Sequence, residues 1–220
     1  MACTQCDGID REFDPAVARR SLRRYRRRGP DKSTRLLIEA LRAAVDGLDL
    51  RNAALLDIGG GVGAIQHELL DGRVARATHV DASSAYLVAA REEAERRGHT
   101  ARTSFVFGDF VSLAQTLPAA EIVTLDRVIC CYPDMPALVS QSAQKATRLY
   151  AAVYPRRGAW MGLGLAAINA FQRVRRSGFR VFHHDPDAID AVLHSAGLER
   201  QSLRRTIAWE IVVYERRAPA

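Results

Sequence analysis

The stretch Asp57-Ile-Gly-Gly-Gly-Val-Gly63 determines the fold prediction, because it places four glycines among five residues between two apolar segments. Asn52-Ala-Ala-Leu-Leu56 before it has the pattern of a buried strand, and Ala64-Ile-Gln-His-Glu-Leu-Leu70 after it has that of a helix. Glycines lack a Cβ, so the main chain of such a turn can approach a ligand closely. The glycine spacing differs from the G-x-G-x-x-G string that binds dinucleotides.

The composition is that of a globular protein. The 220 residues are 48% hydrophobic and 26% charged, which suits one domain with an additional element. No apolar run reaches the roughly 18 residues of a membrane span, and the start lacks the basic flank and apolar core of a signal peptide. These features predict a cytoplasmic protein whose four cysteines are reduced.

Positive charge is concentrated near the start of the chain. Between Met1 and Thr34 there are nine Arg and Lys against five Asp and Glu, and seven arginines lie between Arg19 and Arg28. This segment fits a solvated helix face, a flap that binds an anion, or a surface that binds nucleic acid.

Strand-like and helix-like segments alternate after residue 52. Apolar runs of strand length fall at 53–58, 77–80, 104–107, 121–126 and 159–163, and helical patterns at 63–70, 83–97, 134–153 and 186–196. The alternation predicts a three-layer, Rossmann-like α/β domain. We expect a seven-stranded sheet with six parallel strands and an antiparallel last strand near 206–214. Residues 13–47 read as two helices separated at Gly29-Pro30-Asp31, so residues 1–48 are predicted to be a helical cap on a domain of residues 49–220.

Acidic residues stand where three further strands end. Asp81 follows the second strand, Gly108-Asp109-Phe110 the third, and Asp126 the fourth. Ligands of open parallel sheets bind outside the carboxyl ends of the strands, so these side chains are candidate ligand contacts. Helix N-capping is the alternative for Asp81 and Asp109, since each precedes a helix.

This order of motifs resembles the class I S-adenosylmethionine-dependent methyltransferases over residues 52–216. The resemblance implies a methyltransferase with S-adenosylmethionine as cofactor, in which Asp81 holds the ribose hydroxyls, Asp109 the adenine amino group, and the glycine loop the methionine end. The cofactor-binding residues expected on this basis are Asp57, Gly59, Gly60, Gly61, Gly63, Asp81, Ala82, Gly108, Asp109, Phe110 and Asp126. A nicotinamide dehydrogenase and a non-catalytic protein that kept the fold are the alternatives.

The second half is similar to the magnesium-protoporphyrin O-methyltransferases, through Cys131-Tyr-Pro and the stretch from Phe182 to Gly197. Those enzymes carry His-Tyr-Pro, with a histidine considered catalytic, where this chain has Cys131. The resemblance therefore makes Cys131 and Tyr132 candidate catalytic residues and leaves the substrate open. His183 is a candidate general base, or else part of a helix start with His184 ahead of Asp185-Pro186.

We expect the acceptor to be a small molecule, in particular an anion or carboxylate. Arg173, Arg175, Arg176 and Arg180 follow the fifth strand, and a guanidinium matches both oxygens of a carboxylate. RNA, DNA and protein acceptors are the alternative. The chain lacks the Asn/Asp-Pro-Pro-aromatic motif with which nucleic-acid amino-methyltransferases hold a base, which weighs against nucleic acid.

The cysteines form two pairs, Cys3-x-x-Cys6 and Cys130-Cys131. Four cysteines are the number that a structural zinc needs, but adjacent cysteines rarely hold one tetrahedral ion together. We therefore predict reduced thiols and no metal site, with Cys130 and Cys131 beside the transferred methyl group. The sequence does not determine the oligomeric state.

Overall fold

A computed structural model describes residues 4–217, without the side chains of residues 4–7 and 159. The elements follow in the order α1 (Thr4–Glu12), α2 (Pro15–Arg28), α3 (Lys32–Gly47), β1 (Ala53–Ile58), α4 (Ala64–Leu70), β2 (Val74–Asp81), α5 (Ser84–Arg97), β3 (Thr103–Phe107), α6 (Phe110–Leu113), β4 (Ala120–Asp126), α7 (Met135–Lys145), β5 (Ala146–Pro155), α8 (Ala159–Val174), α9 (Pro186–Ser195), β6 (Leu198–Arg205) and β7 (Trp209–Arg216).

The strands form one seven-stranded sheet in the order β3-β2-β1-β4-β5-β7-β6. Strands β1 to β5 pair in parallel, while β7 lies antiparallel between β5 and β6. The predicted sheet, with its antiparallel last strand, is therefore confirmed. The order reverses direction between β1 and β4, which is where open α/β sheets bind their ligands.

Both faces of the sheet are covered by helices. On one face, Leu37 and Leu41 of α3 pack with Leu55 of β1 in one buried cluster. On the other face, Leu138 of α7 and Leu193 of α9 belong to a second cluster that includes strand residues of the opposite pleat. Each fully buried leucine contributes roughly 1.5–3 kcal/mol, so these two clusters hold the layers together.

Helix α2 packs on α5 outside the sheet. Asp14 caps its first turn and Pro15 follows at the first helical position, where a missing N–H costs nothing. Tyr25 is buried, and Arg26 Nε donates to the carboxylate of Glu93 on α5 at 2.8 Å. The remaining arginines of α2 are exposed, so the helix is amphipathic. The split of residues 13–47 at Gly29-Pro30-Asp31 is also observed, with Asp31 capping α3.

The prediction of the fifth strand was wrong. Residues 146–155 form β5, whereas residues 159–163 lie in α8. The helix expected over 134–153 ends at Lys145. Strand β6 also escaped the pattern search, because its sequence LERQSLRR is largely polar at the edge of the sheet.

Within the described part of the chain, none of the helices combines the length and apolar character that a membrane crossing requires.

Candidate active site

A cleft of about 800 Å³ opens at the carboxyl ends of β1, β2 and β4. The half that is expected to hold the cofactor, called the cofactor half, is lined by the glycine loop Gly59–Gly61 and by Asp81 and Asp109, with Tyr25 of α2 alongside. The half that is expected to hold the acceptor, called the acceptor half, lies between α1 and α8. The residues that line the acceptor half are Ile9, Glu12, Phe13, Cys131, Tyr132, Trp160, Met161, Leu165, Ile168, Gln172, Phe179 and Val181.

The glycine loop is closely packed on its inner side. A Cβ on Gly60 would lie 2.6 Å from Asp57 Oδ2 and 2.6 Å from His79 Cε1, so a side chain cannot fit there. Gly61, by contrast, has a φ of 58° and faces open space, with Tyr86 4.0 Å from where its Cβ would be. A ligand in the cleft can therefore approach the main chain of Gly61.

Asp57 supports this loop from behind. Its side chain is buried and accepts a hydrogen bond from Thr124 Oγ1 at 2.6 Å, outside the cleft lining. Burial raises the pKa of Asp57 to about 7. Gly63 is likewise set back, since it begins α4 in a left-handed conformation. Both residues shape the loop without lining the cleft.

Asp81 is nearly buried at the end of β2 and lines the cleft, as Ala82 does. It accepts the main-chain N–H of Gly61 at 2.9 Å and that of Ser83 at 2.8 Å. Burial raises its pKa to about 6, although these hydrogen bonds oppose the shift. Ser83, not Asp81, caps α5. A carboxylate has about four acceptor positions, so Asp81 can still take both hydroxyls of a ribose.

Asp109 follows β3 and does cap a helix, accepting the N–H groups of Val111 and Ser112 at 3.3 Å. It also accepts a hydrogen bond from Tyr132 Oη at 3.2 Å. Capping and ligand contact are compatible here, because Asp109 lines the cleft together with Gly108 and Phe110. The Tyr132 contact joins the two halves of the cleft.

Asp126 ends β4 and is held by groups that the sequence did not indicate. Thr34 Oγ1 donates to it at 2.5 Å, and Arg127 Nε donates at 3.1 Å. Arg127 also donates to Asp31 at 2.7 Å. Burial raises the pKa of Asp31, but Arg127 and the hydrogen bonds to the carboxylate lower it more, so that it lies at about 2. This cluster fixes the start of α3 beside the cleft. Asp126 lines the cleft with a carboxylate already occupied by protein donors.

Cys130 and Cys131 form a short helical turn after β4, and both line the cleft. Their sulfurs lie 3.9 Å apart, and each thiol contacts the carbonyl of Arg127. The hydrogen bond with Cys130, together with burial, raises the pKa of Cys131 well above its usual value. Cys131 is therefore a neutral thiol at neutral pH and a weak base.

The acceptor half is largely apolar, with one polar pair that sequence analysis missed. Gln172 of α8 donates through Nε2 to Oε1 of Glu12, on α1, at 2.9 Å. Gln172 is 5% exposed, and both residues line the cleft. No local sequence signal marks them, because they are 160 positions apart.

His183 lies elsewhere than predicted. Its side chain is exposed and its Nε2 contacts the carbonyl of Arg156 at 3.1 Å, while His184 contacts the carbonyl of Tyr132 at 2.8 Å. Neither histidine is among the described residues that line the cleft. Asp185 caps α9 with Pro186 behind it, which agrees with the helix-start interpretation.

The four arginines expected on the acceptor side are also absent from the described lining of the cleft. Arg173 is in the last turn of α8, and Arg175 and Arg176 follow it, all three exposed. Arg175 packs over the ring of Phe171, which is itself exposed. Arg180 donates to the carbonyls of Ser177 and Phe179. The error follows from taking residues 159–163 as a strand, which misplaced the connection that carries these arginines.

The amino-terminal cysteines cannot be compared with prediction, because Cys3 and the side chain of Cys6 lie outside the described residues. Among the side chains that are described, no group of three His, Cys, Asp or Glu is arranged to hold a metal ion.

The fold and the cleft define a class of protein. Residues 56–147 match the family model of a methyltransferase domain. The sheet order and the glycine loop agree with this match to a methyltransferase domain. The predicted superfamily, enzyme type and cofactor are thereby confirmed.

Solved structures extend the likeness to the whole fold. Magnesium protoporphyrin IX methyltransferase (ChlM) from Synechocystis PCC 6803, with bound S-adenosylhomocysteine, is 18% identical and superposes with a TM-score of 0.74, covering 97% of this chain and 100% of that one. An O-methyltransferase family 2 protein from Planctomyces limnophilus, in complex with apigenin, is 17% identical with a TM-score of 0.61, covering 86% of this chain and 63% of its own.

The cyclase SpnF also shares the fold, at 13% identity and a TM-score of 0.61, over 83% of this chain and 80% of that one. At these identities the likeness concerns the fold, which does not by itself define the reaction. No curated protein matches the sequence significantly.

Proposed function

We propose that this enzyme transfers the methyl group of S-adenosylmethionine to an oxygen of a small, largely apolar molecule bound in the acceptor half of the cleft. One observation carries the proposal. The cleft runs without interruption from Asp81 and Asp109 to an apolar space walled by Trp160, Leu165 and Phe179. The carboxylates and the open main chain of Gly61 suit the nucleoside and methionine parts of the cofactor, and the apolar space suits an organic acceptor.

The cofactor supplies an electrophilic methyl group on a positively charged sulfur. With the cofactor bound, an oxygen lone pair of the acceptor would form the new C–O bond as the S–C bond breaks, and the electron pair of that bond would neutralise the sulfonium. The proton of a hydroxyl acceptor would pass to solvent. The protein contributes mainly by holding the two reactants in line and excluding water. Cys131 is a neutral thiol, and the hydroxyl of Tyr132 donates a hydrogen bond to Asp109, so both are poor bases. We therefore assign the positioning role to these two residues.

The cofactor-binding set predicted from sequence divides into two groups under this proposal. Gly59, Gly60, Gly61, Asp81, Ala82, Gly108, Asp109, Phe110 and Asp126 line the cleft and are proposed as contacts. Asp57 and Gly63 are proposed to act indirectly, by shaping the glycine loop. His183 would need to leave its contact with Arg156 before it could act as a base.

The anionic acceptor stays a prediction, without the support expected from Arg173, Arg175, Arg176 and Arg180, which are not among the described residues that line the cleft. Carboxylates therefore enter the test as one acceptor class among several. The broad division of residues 1–48 as a cap and 49–220 as the catalytic domain remains part of the proposal, since α1 and α2 contribute to the cleft walls.

The test is methyl transfer with S-adenosylmethionine labelled in its methyl group. Aromatic hydroxyl compounds, aromatic carboxylates, short RNAs and an unfolded protein are offered in parallel. We expect label in a small molecule and none in RNA or protein, and we expect Asp81→Ala to slow the labelling at least tenfold when S-adenosylmethionine is subsaturating. Label in RNA or protein would overturn the proposal, as would tight binding of S-adenosylhomocysteine with no transfer to any small molecule.

A further inference from the structure

The Glu12–Gln172 pair in the acceptor half has an unused hydrogen-bonding atom. The side chain of Gln172 is only 5% exposed, and its Nε2 group donates a hydrogen bond to Glu12. Its Oε1 atom has no hydrogen-bond partner among the described residues. A buried carbonyl left unpaired is unfavourable, so a hydrogen-bond donor at this atom would be stabilising.

The orientation of the amide is fixed by its surroundings. Glu12 Oε1 accepts from Gln172, and the other carboxylate oxygen contacts Ser177 Oγ at 3.5 Å. Turning the amide over would place its oxygen against a carboxylate, two acceptors face to face, which is unfavourable. The amide therefore keeps its oxygen free for a partner from elsewhere.

The neighbours of the pair give the ligand its remaining properties. Phe13 and Phe179, whose ring centroids lie 5.5 Å apart, line the same part of the cleft, as does Ile168. On this segment, the guanidinium of Arg180 donates to the carbonyls of Ser177 and Phe179. The wall thus presents apolar surface and hydrogen-bond acceptors.

We infer that Glu12 and Gln172 form a donor-reading subsite, which binds a hydroxyl or amino group on an otherwise apolar, aromatic methyl acceptor. A ligand whose only polar group is a carboxylate offers no proton to Gln172 Oε1 and brings a second negative charge towards Glu12. Such a ligand is disfavoured at this subsite. The inference rests on the proposed function in so far as the acceptor half of the cleft receives the acceptor.

The experiment measures binding, so that it does not depend on turnover. Protein saturated with S-adenosylhomocysteine is titrated with 2-naphthol, 2-methoxynaphthalene and 2-naphthoate, which share one ring system and differ in donor and charge. We expect 2-naphthol to bind at least fivefold more tightly than either of the others. In Gln172→Met, which keeps the length of the side chain but removes its amide, the three affinities should converge to within about twofold.

Gln201→Met on the exposed edge strand β6 is the matched control, and it should leave the ranking unchanged. Affinity for S-adenosylhomocysteine reports whether each variant is folded. If Gln172→Met does not fold, the ranking in the unmodified protein and in Glu12→Gln still decides the matter. Equal or tighter binding of 2-naphthoate, or a 2-naphthol preference that persists in folded Gln172→Met, would overturn the inference.

The two proposals can fail separately. If the probes rank as expected but label is never transferred to a small molecule, the donor-reading subsite stands and the proposed methyl transfer does not. If label is transferred efficiently to carboxylates that lack any donor, methyl transfer stands and the subsite is wrong.

Discussion

The cofactor half and the acceptor half of the cleft are held together by different interactions. In the cofactor half, strand ends and helix caps place carboxylates on main-chain N–H groups, as Asp81 does with Gly61 and Ser83. In the acceptor half, α8 presents apolar side chains to the cleft and also to solvent, with Leu163 73% exposed and Val174 81% exposed. Among the described residues, the hydrogen bond between Glu12 and Gln172 in the acceptor half joins two segments that are distant in the sequence.

This difference indicates a division of tasks. A network of buried hydrogen bonds gives a fixed geometry, which suits a cofactor that is the same in every turnover. Apolar contacts are less directional and tolerate changes of shape, which suits an acceptor that differs between related enzymes. We expect substitutions in the cofactor half to affect stability and cofactor binding strongly, and substitutions in the acceptor half to change selectivity.

The largest effect on stability is expected at Glu93, which stabilises the packing of α2 on α5 beside the cofactor half. Its side chain is fully buried and binds Arg26, Arg96 and Arg97. Glu93→Ala removes the buried carboxylate that these three arginines share, although Arg26 keeps a contact with Glu92, and Arg97 keeps contacts with Glu68 and Asp71. We therefore expect the free energy of unfolding to fall by about 3 kcal/mol. Denaturant unfolding measures it.

Two controls sharpen that result. Glu92→Ala removes one exposed contact with Arg26 and should cost at most about 1 kcal/mol. Leu163→Ala on the acceptor side should change stability by less than about 0.5 kcal/mol, since that side chain is already in water. A loss at Leu163 as large as that at Glu93 would contradict the comparison.

The second expected effect is on cofactor affinity. Asp81→Ala should weaken S-adenosylhomocysteine binding at least tenfold, about 1.4 kcal/mol, because the ribose hydroxyls lose their buried acceptor. Calorimetric titration measures the change, with Leu165→Ala in the acceptor half as the control that should stay within about threefold. If NAD bound in place of S-adenosylhomocysteine, the assignment of the cofactor half would be wrong.

A third, pH-dependent effect follows from the pKa of Asp81, which burial raises to about 6. The ionised carboxylate accepts hydroxyl protons and the protonated form does so less well, so affinity for S-adenosylhomocysteine should be full above pH 7 and fall as the pH drops through 6. We expect about a tenfold loss between pH 7 and pH 5. Asp81→Asn should bind weakly at every pH. A parallel fall in that variant would assign the titration to another group.

The smallest effect is expected in limited proteolysis. Tyr25 of α2 lines the cofactor half, so a bound cofactor should hold this helix more firmly and slow tryptic cleavage at its exposed arginines a few-fold. Cleavage after Arg173, Arg175 and Arg176 near the end of α8 should continue at the same rate. Equal cleavage of α2 with and without S-adenosylhomocysteine would show that α2 does not respond to the cofactor.

The features that could be predicted from the sequence are those that nearby residues determine. The bare glycine loop, the acidic residues at strand ends and the Gly29-Pro30-Asp31 break each lie within a few residues of the feature they predict. These signals gave the sheet class, the position of the cleft and most of its cofactor-side lining.

Segments whose apolar residues have no clear period were predicted wrongly. No glycine or proline separates α7 from β5, so the start of β5 was taken as a continuation of the helix. The apolar start of α8 was taken as a strand. The expected position of Arg173, Arg175, Arg176 and Arg180 beside the acceptor was wrong for the same reason. Glu12 and Gln172 could not have been paired from sequence, because only the tertiary fold brings α1 to α8.

The 160-residue separation between Glu12 and Gln172 has a consequence for synthesis of the chain. Helix α1 leaves the ribosome early. Its partner on α8 is synthesised only after the six helices α2 to α7 and the five strands β1 to β5, which lie between them in the described part of the chain. Closing so long a loop is entropically costly and comes late in folding. We therefore expect a nascent chain to gain its nucleoside site before its acceptor chamber, and pulsed hydrogen exchange during refolding should show α1 protected last.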